Sequence, residues 1–144
     1  MSMKSVYIFG PIFLFGNDYI PVYKSLNELA GRYFEKVIGT YPDFWESKES
    51  PQDFYKRTYN VITRCNLFVA EVSSPSHGVG MELQMAKEHD IPVVLIVKED
   101  IDISKSLMVL GIPNLYKIVE YRNIDDLKGK LEAEFKSFLE DRKI

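Results

Sequence analysis

Leu67-Phe68-Val69-Ala70-Glu71-Val72-Ser73-Ser74-Pro75-Ser76-His77-Gly78-Val79-Gly80-Met81-Glu82-Leu83 is the stretch on which the fold turns. It opens with an apolar run that hardly alternates, the pattern of a short strand buried on both faces. Ser73 to Gly78 is a turn punctuated by serine, proline and glycine. Val79, Leu83 and Ala86 then recur on one helical face, with Met81 and Met85 widening the apolar stripe. Strand, turn and one-sided helix make up most of a parallel βαβ unit. Ile91–Val97 completes it as a β-branched run introduced by Asp90, with Pro92 near its start.

The same rhythm extends both ways. Val6-Tyr7-Ile8-Phe9 reads as an opening strand stopped by Gly10-Pro11. Val22, Tyr23, Leu26, Leu29, Ala30, Tyr33 and Phe34 predict a helix within Tyr19–Phe34, followed by a short strand at Val37-Ile38. Gly39–Pro51 is a loop carrying Tyr41, Phe44 and Trp45, and Tyr55, Tyr59 and Ile62 mark a helix ending near Arg64. Ile101–Gly111 is a connection with a short helical turn through Ser106–Val109, and Tyr116–Val119 is a last strand. Leu127, Leu131, Phe135, Phe138 and Leu139 give a final amphipathic helix. Strand and helix thus alternate about five times, so the expected class is α/β. The favoured layout is a single domain over residues 1–144, with a doubly wound, five-stranded parallel sheet covered on both faces.

A chain of 144 residues suits one domain. Eighteen basic against 21 acidic side chains give a net charge of -3, which supplies no broad footprint for nucleic acid but leaves room for a local anion site. Cys65 has no second cysteine to pair with, and with His77 and His89 alone no thiolate–imidazole metal cage is expected. Met1 to Val6 shows no secretory signal, and no apolar stretch approaches the roughly 20 residues that span a bilayer. A cytoplasmic protein without membrane or nucleic-acid partners is the expectation.

An open parallel sheet places its ligand site beyond the carboxyl ends of its strands. That rule nominates Gly10–Gly16, Glu71–Gly80 and the connection after Val97. Gly78 and Gly80 frame Val79 where backbone needs unusual dihedrals or close approach to a ligand. Ser76 is placed to cap the next helix, and the amides beside it could accept an anion. Glu82 admits two readings. It is an exposed partner of the helix dipole, or a carboxylate inside the crevice that the dipole helps keep ionised for attack on an electron-poor carbon.

The other candidates carry less. Gly10–Gly16 lacks the lysine and glycine density of a P-loop and the spacing of a dinucleotide fingerprint, so Phe13 and Phe15 suggest a wall for a flat ligand. Tyr7 is a core aromatic or a site residue. His77 reads as a surface or lid residue, and Cys65 as a buried thiol with no activating constellation. Two histidines leave no convincing serine, histidine and acid triad.

At these residues the chain resembles the nucleoside 2-deoxyribosyltransferase-like superfamily, and within it the 2'-deoxynucleoside 5'-monophosphate N-hydrolase branch. The resemblance rests on Val69-Ala70-Glu71-Val72 and Pro75-Ser76-His77-Gly78-Val79-Gly80-Met81-Glu82-Leu83. Tyr7-Ile8-Phe9-Gly10-Pro11 and Ser106-Leu107-Met108-Val109-Leu110-Gly111 add to it. It implies a flavodoxin-like, Rossmann-like three-layer fold and cleavage of an N-glycosidic bond without a cofactor. Glu82 would be the nucleophile that takes C1' of the deoxyribose, forming a glycosyl-enzyme that water or a second base resolves. Ser76 with the amides around Gly78 and Gly80 would hold the 5'-phosphate, and Tyr7 and Gly10 would line the sugar and base pocket. Ser106 and Met108 would reach the same pocket from a neighbouring subunit of a homo-oligomer, with core packing the other reading for Met108.

The chain departs from the family pattern at three places. Thr58 and Asn66 stand where the family has aspartates, with Asp53 one to two turns earlier, and Phe13 stands near a phosphate-binding arginine. The leading expectation is hydrolysis of deoxynucleoside 5'-monophosphates to free base and deoxyribose 5-phosphate. The alternatives are base exchange by a nucleoside deoxyribosyltransferase and a nucleotide-binding protein that has lost the reaction.

Overall fold

The computed structural model describes residues 4–12 and 19–142. Five strands form one all-parallel sheet in the order β2-β1-β3-β4-β5. In chain order they are β1 (Ser5–Phe9), β2 (Lys36–Gly39), β3 (Leu67–Glu71), β4 (Val93–Lys98) and β5 (Leu115–Tyr121). The helices between and after them are α1 (Ile20–Ala30), α2 (Pro51–Ile62), α3 (His77–Glu88), α4 (Leu107–Leu110) and α5 (Ile124–Asp141). The three-layer α/β architecture expected from the alternation is therefore the observed one.

Two apolar cores flank the sheet. Val6, Ile8 and Val69 point to one face, where α1 and α5 cover them with Leu26, Leu131 and Phe135. Tyr7, Phe9 and Phe68 point to the other, under Ile62 of α2 and Val79 and Leu83 of α3. Alternating burial on both faces is why these strands read as continuous apolar runs. Strands β1 and β3 pair in register from Val6 with Leu67 to Phe9 with Ala70. The chain runs from β1 outward to β2, then returns to β3 on the other side, so the crevice between β1 and β3 is the switch point of the sheet.

Element ends differ from the sequence reading for local reasons. Helix α1 stops at Ala30, where the Gly31 amide turns back to the Asn27 and Leu29 carbonyls, although Phe34 still packs in the core. Helix α2 begins earlier than Tyr55, because Ser50 caps it by accepting the Asp53 N–H and Pro51 occupies its first turn. Its inner stripe is Phe54, Thr58 and Ile62 rather than Tyr55, Tyr59 and Ile62; Tyr55 is 49% and Tyr59 36% exposed. The loop after β2 turns sharply at Thr40–Phe44, where Tyr41 is extended (φ -116, ψ 130) and the Tyr41–Pro42 peptide is cis. Strand β4 starts at Val93, after Pro92.

Gly78 and Gly80 do not meet the expectation of unusual dihedrals. Both lie inside the first turns of α3, with no left-handed φ at either. The left-handed backbone in this region belongs to Asp90 (φ 54), where the chain leaves α3 for β4. Among the described residues, no helix is long and apolar enough to cross a membrane.

Candidate active site

Ser76 has extended backbone (φ -149, ψ 123), and its Oγ accepts the Val79 N–H at 3.3 Å, so the residue is an N-cap. From that cap Glu82 falls in the second turn of α3, one turn beyond Gly78, with its side chain leaning back over the helix start. Glu82 is 3% exposed, which overturns the reading of a solvated dipole partner. Its Oε2 has no hydrogen-bond partner. A buried carboxyl left unpaired is costly and calls for an explanation.

Burial pushes the Glu82 carboxyl well above the usual carboxylate range, and the adjacent Tyr7 hydroxyl pulls it back only in part. Desolvation therefore works against any help from the helix dipole. Tyr7 lies close to Glu82, yet its Oη also lacks a hydrogen bond of good geometry. Two buried polar groups side by side, neither satisfied, mark a place that a water or ligand atom completes.

Glu82 opens onto a cavity of about 440 Å³ at the carboxyl end of β1. Gly10, Pro11 and Ile12 form one wall, Phe54 of α2 a second, and Pro75 to Gly78 the third. The walls are mostly apolar, and the polar groups are Ser76, His77 and Glu82, which suits a ligand with a flat apolar part and a few hydroxyls. No lysine or arginine lines this cavity among the described residues.

The sequence-nominated residues divide between this cavity and its surroundings. Gly10, Ser76, Gly78 and Glu82 line it together. Tyr7 does not; it is fully buried on β1 beneath Glu82, with its ring against Phe9, Phe44 and Phe68. Gly80 and Ser106 line a second cavity of about 240 Å³ on the other side of the 72–76 turn, and Pro75 and Ser76 border both. Met108 is 88% exposed, so its reading as a core residue does not hold in this chain. His77 lines the Glu82 cavity at its mouth.

The departures from the family pattern also have places. Thr58 is 3% exposed on the inner stripe of α2, and its Oγ1 has no partner. Asn66 is structural: its Oδ1 accepts the Ser5 N–H at 2.7 Å and ties β1 to the start of β3. Asp53 is exposed in the first turn of α2, away from the cavity lining. Cys65 is buried, and desolvation raises its thiol to about 12, which leaves it inert. Phe13, Phe15 and Gly16 lie outside the described residues.

Two features escaped the sequence reading. Phe54 was hidden because the more conspicuous Tyr55 and Tyr59 sit one position out of phase. Glu71 carries a signal of its own, an acid ending an apolar strand. It is 1% exposed, accepts the Ser73 N–H and the Tyr121 hydroxyl, and burial raises its pKa. Ser73 Oγ in turn accepts the Lys98 N–H at 2.8 Å, so the turn leading to Ser76 is tied to both β4 and β5. On the other wall, the Tyr23 hydroxyl donates to the Pro11 carbonyl at 3.0 Å, and the Gly10 N–H donates to Thr40 Oγ1 at 3.1 Å. Both rims of the cavity are thus held from behind.

The chain is similar to several known proteins. A Methanosarcina mazei protein named "Putative 2'-deoxynucleoside 5'-phosphate N-hydrolase 1" is 36% identical over 84 residues, 58% of this chain and 51% of its own. A Thermofilum pendens protein of the same name is 29% identical over 89 residues, 61% of this chain and 62% of its own. The chain resembles the nucleoside 2-deoxyribosyltransferase-like superfamily. No family model matches, and the chain spans about half the length of the first curated relative it resembles. Among solved structures, the CMP N-glycosidase BcmB of Clostridium botulinum superposes with a TM-score of 0.67 at 17% identity, covering 90% of this chain and 99% of that one. A conserved protein from Enterococcus faecalis superposes with a TM-score of 0.63 at 15% identity, covering 94% and 99%. At these identities the structural likeness shows the fold alone.

Proposed function

We propose that residues 1–144 form one catalytic domain that hydrolyses the N-glycosidic bond of 2'-deoxynucleoside 5'-monophosphates, with Glu82 as nucleophile. The observation that carries this reading is the buried Glu82 carboxyl, one oxygen of which has no partner, in the lining of a largely apolar cavity. The names of the relatives and of the structural neighbour support the same bond class.

The chemistry follows from the carboxyl. Its carboxylate oxygen forms a bond to C1' while the C1'–N bond breaks; the electron pair leaves with the base, which takes a proton from solvent. Water then attacks C1', the ester bond breaks with its pair returning to the carboxylate, and one water proton is released. Two displacements retain configuration. A deoxyribose lacks the electron-withdrawing 2'-hydroxyl, so an oxocarbenium-like transition state is reached with little acid assistance. Ser76 and the N-terminal amides of α3 would hold the phosphate. Tyr7, beside the carboxyl, would orient it.

Ser106 and Met108 would complete the pocket of a neighbouring subunit in a cytoplasmic homo-oligomer. The exposure of Leu107 (74%) and Met108 (88%) fits that role, because nothing among the described residues covers them. One observation favours a second reading. The neutral, unpartnered hydroxyl of Thr58 replaces a family aspartate, as expected of a nucleotide-binding protein that has lost the reaction.

Chromatography of products from all common deoxynucleosides and their monophosphates tests the proposal, with E82A as control. Base release by the wild type and not by E82A supports it, and equal release by both defeats it. Exchange of an added base faster than water attack would make the protein a transferase. Saturable binding without release would establish the second reading.

A further inference from the structure

The described glycines sit where they do for different reasons. A Cβ on Gly10 would lie 2.2 Å from Tyr23 Oη and 3.0 Å from Glu71 Cβ, so glycine is required there by packing. A Cβ on Gly129, in the exposed face of α5, would meet nothing within 4 Å. Gly78 resembles neither. It is in the first turn of α3 with no left-handed φ, and a Cβ would meet only Glu82 Oε1 at 3.8 Å and Ser76 Oγ at 3.9 Å. Those are ordinary contact distances, so the fold accepts alanine. A helix gains from alanine over glycine, because glycine surrenders more backbone freedom on folding. Glycine at 78 is therefore a cost to stability that no contact in the fold requires.

The missing side chain has a consequence at the carboxyl. Residues 78 and 82 are one turn apart on the same helical face, and a helical side chain leans back over the preceding turn. Glu82 therefore lies over Gly78, and the space a Cβ would fill is cavity beside its Oε1. A carbon about to be attacked must come to about 3–3.5 Å of the attacking oxygen. A methyl group at 3.8 Å from that oxygen would occupy one side of the approach.

We infer that Gly78 is a specificity-determining position whose absent side chain reserves the space for the pentose between Glu82 Oε1 and Ser76 Oγ. This rests on Glu82 being the nucleophile and adds a steric reason for the residue one turn before it. Size at position 78 then governs how closely the sugar reaches the carboxyl.

The test measures thermal stability, base release and ligand-induced thermal shift for wild type, G78A, G78V, G129A and E82A. The ligands are deoxynucleoside monophosphates and deoxyribose 5-phosphate. G78A is expected to melt at or above the wild-type temperature, by up to about 2–4 °C, as G129A does. Its kcat/KM should fall at least about 10-fold and that of G78V further, about 100-fold, while G129A keeps wild-type turnover. Wild-type turnover in G78A overturns the inference while leaving the Glu82 reading intact. A lowered melting temperature in G78A also overturns it, since the glycine would then serve the fold. If neither wild type nor E82A releases base, the nucleophile reading fails by itself. Ligand shifts then decide: loss of the shift in G78A but not G129A upholds the reserved space, and equal shifts in both remove it.

Discussion

Tyr121 donates its hydroxyl hydrogen to Glu71 across the carboxyl edge of the sheet, from β5 to β3 over the intervening β4. The other Glu71 oxygen takes the Ser73 N–H, so this one acid joins the far strand to the turn that carries Ser76. Y121F leaves a buried carboxyl oxygen without its donor and should lower unfolding free energy by about 1–3 kcal/mol in urea titrations. An unchanged midpoint would show that the hydroxyl contributes nothing to the edge.

Glu82 gives the protein a pH signature. Its folded pKa is raised above the ordinary 4.5, so the native state holds a proton that the unfolded chain releases. The associated stability is fully present below 4.5 and is lost as pH rises through the folded value. Burial raises the Glu71 pKa too and gives the same sign. Replacement of Glu82 by glutamine should therefore stabilise the protein at pH 8, by about 1–2 kcal/mol, and have little effect at pH 4. In the wild type, kcat/KM should rise with pH through the raised value, because attack needs the carboxylate. A rate that falls over that range would contradict a carboxylate nucleophile.

Gly10 and Tyr23 form a testable steric pair. A methyl group on Gly10 would collide with the Tyr23 hydroxyl oxygen at 2.2 Å, so G10A should cost about 1–3 kcal/mol. Deleting that oxygen in Y23F costs the bond to the Pro11 carbonyl, but G10A/Y23F should be less unstable than the two single changes summed. Strict additivity in denaturant unfolding would mean that the loop moves aside instead.

Ser76 carries a cap role and a proposed phosphate role, which substitution separates. S76A removes the acceptor of the Val79 N–H and should cost about 1 kcal/mol. S76D keeps a good cap but puts a negative charge on the rim of the cavity. It should retain near wild-type stability and raise KM for monophosphates about 10-fold or more, with a smaller effect on the unphosphorylated nucleosides. Equal KM changes for both substrate types would rule out a phosphate contact at this residue.

Much of this protein was legible before any tertiary contact was known. The βαβ units came from apolar runs such as Ile91–Val97 and from helical spacing such as Leu127, Leu131 and Phe135, because periodicity records which side of an element is buried. Ser76 was legible as a cap for the same reason: its bond to Val79 spans three residues. The stripe of α2 was misread, because Tyr55 and Tyr59 mimic an inner face that Phe54, Thr58 and Ile62 occupy. Composition alone does not set the phase of a helix against a sheet.

The sequence by itself determined a parallel α/β domain, a capped turn after its central strand, and a carboxylate shortly beyond it. Only the tertiary structure decided what that carboxylate is. Glu82 is desolvated by burial beside Tyr7 of β1, and it opens to a cavity walled by Gly10–Ile12 and Phe54. Protonation, unmet hydrogen bonds and the room left at Gly78 all depend on groups brought together from distant positions. A pKa is set by solvent exclusion and neighbouring dipoles, and these exist only once the chain has closed around the site.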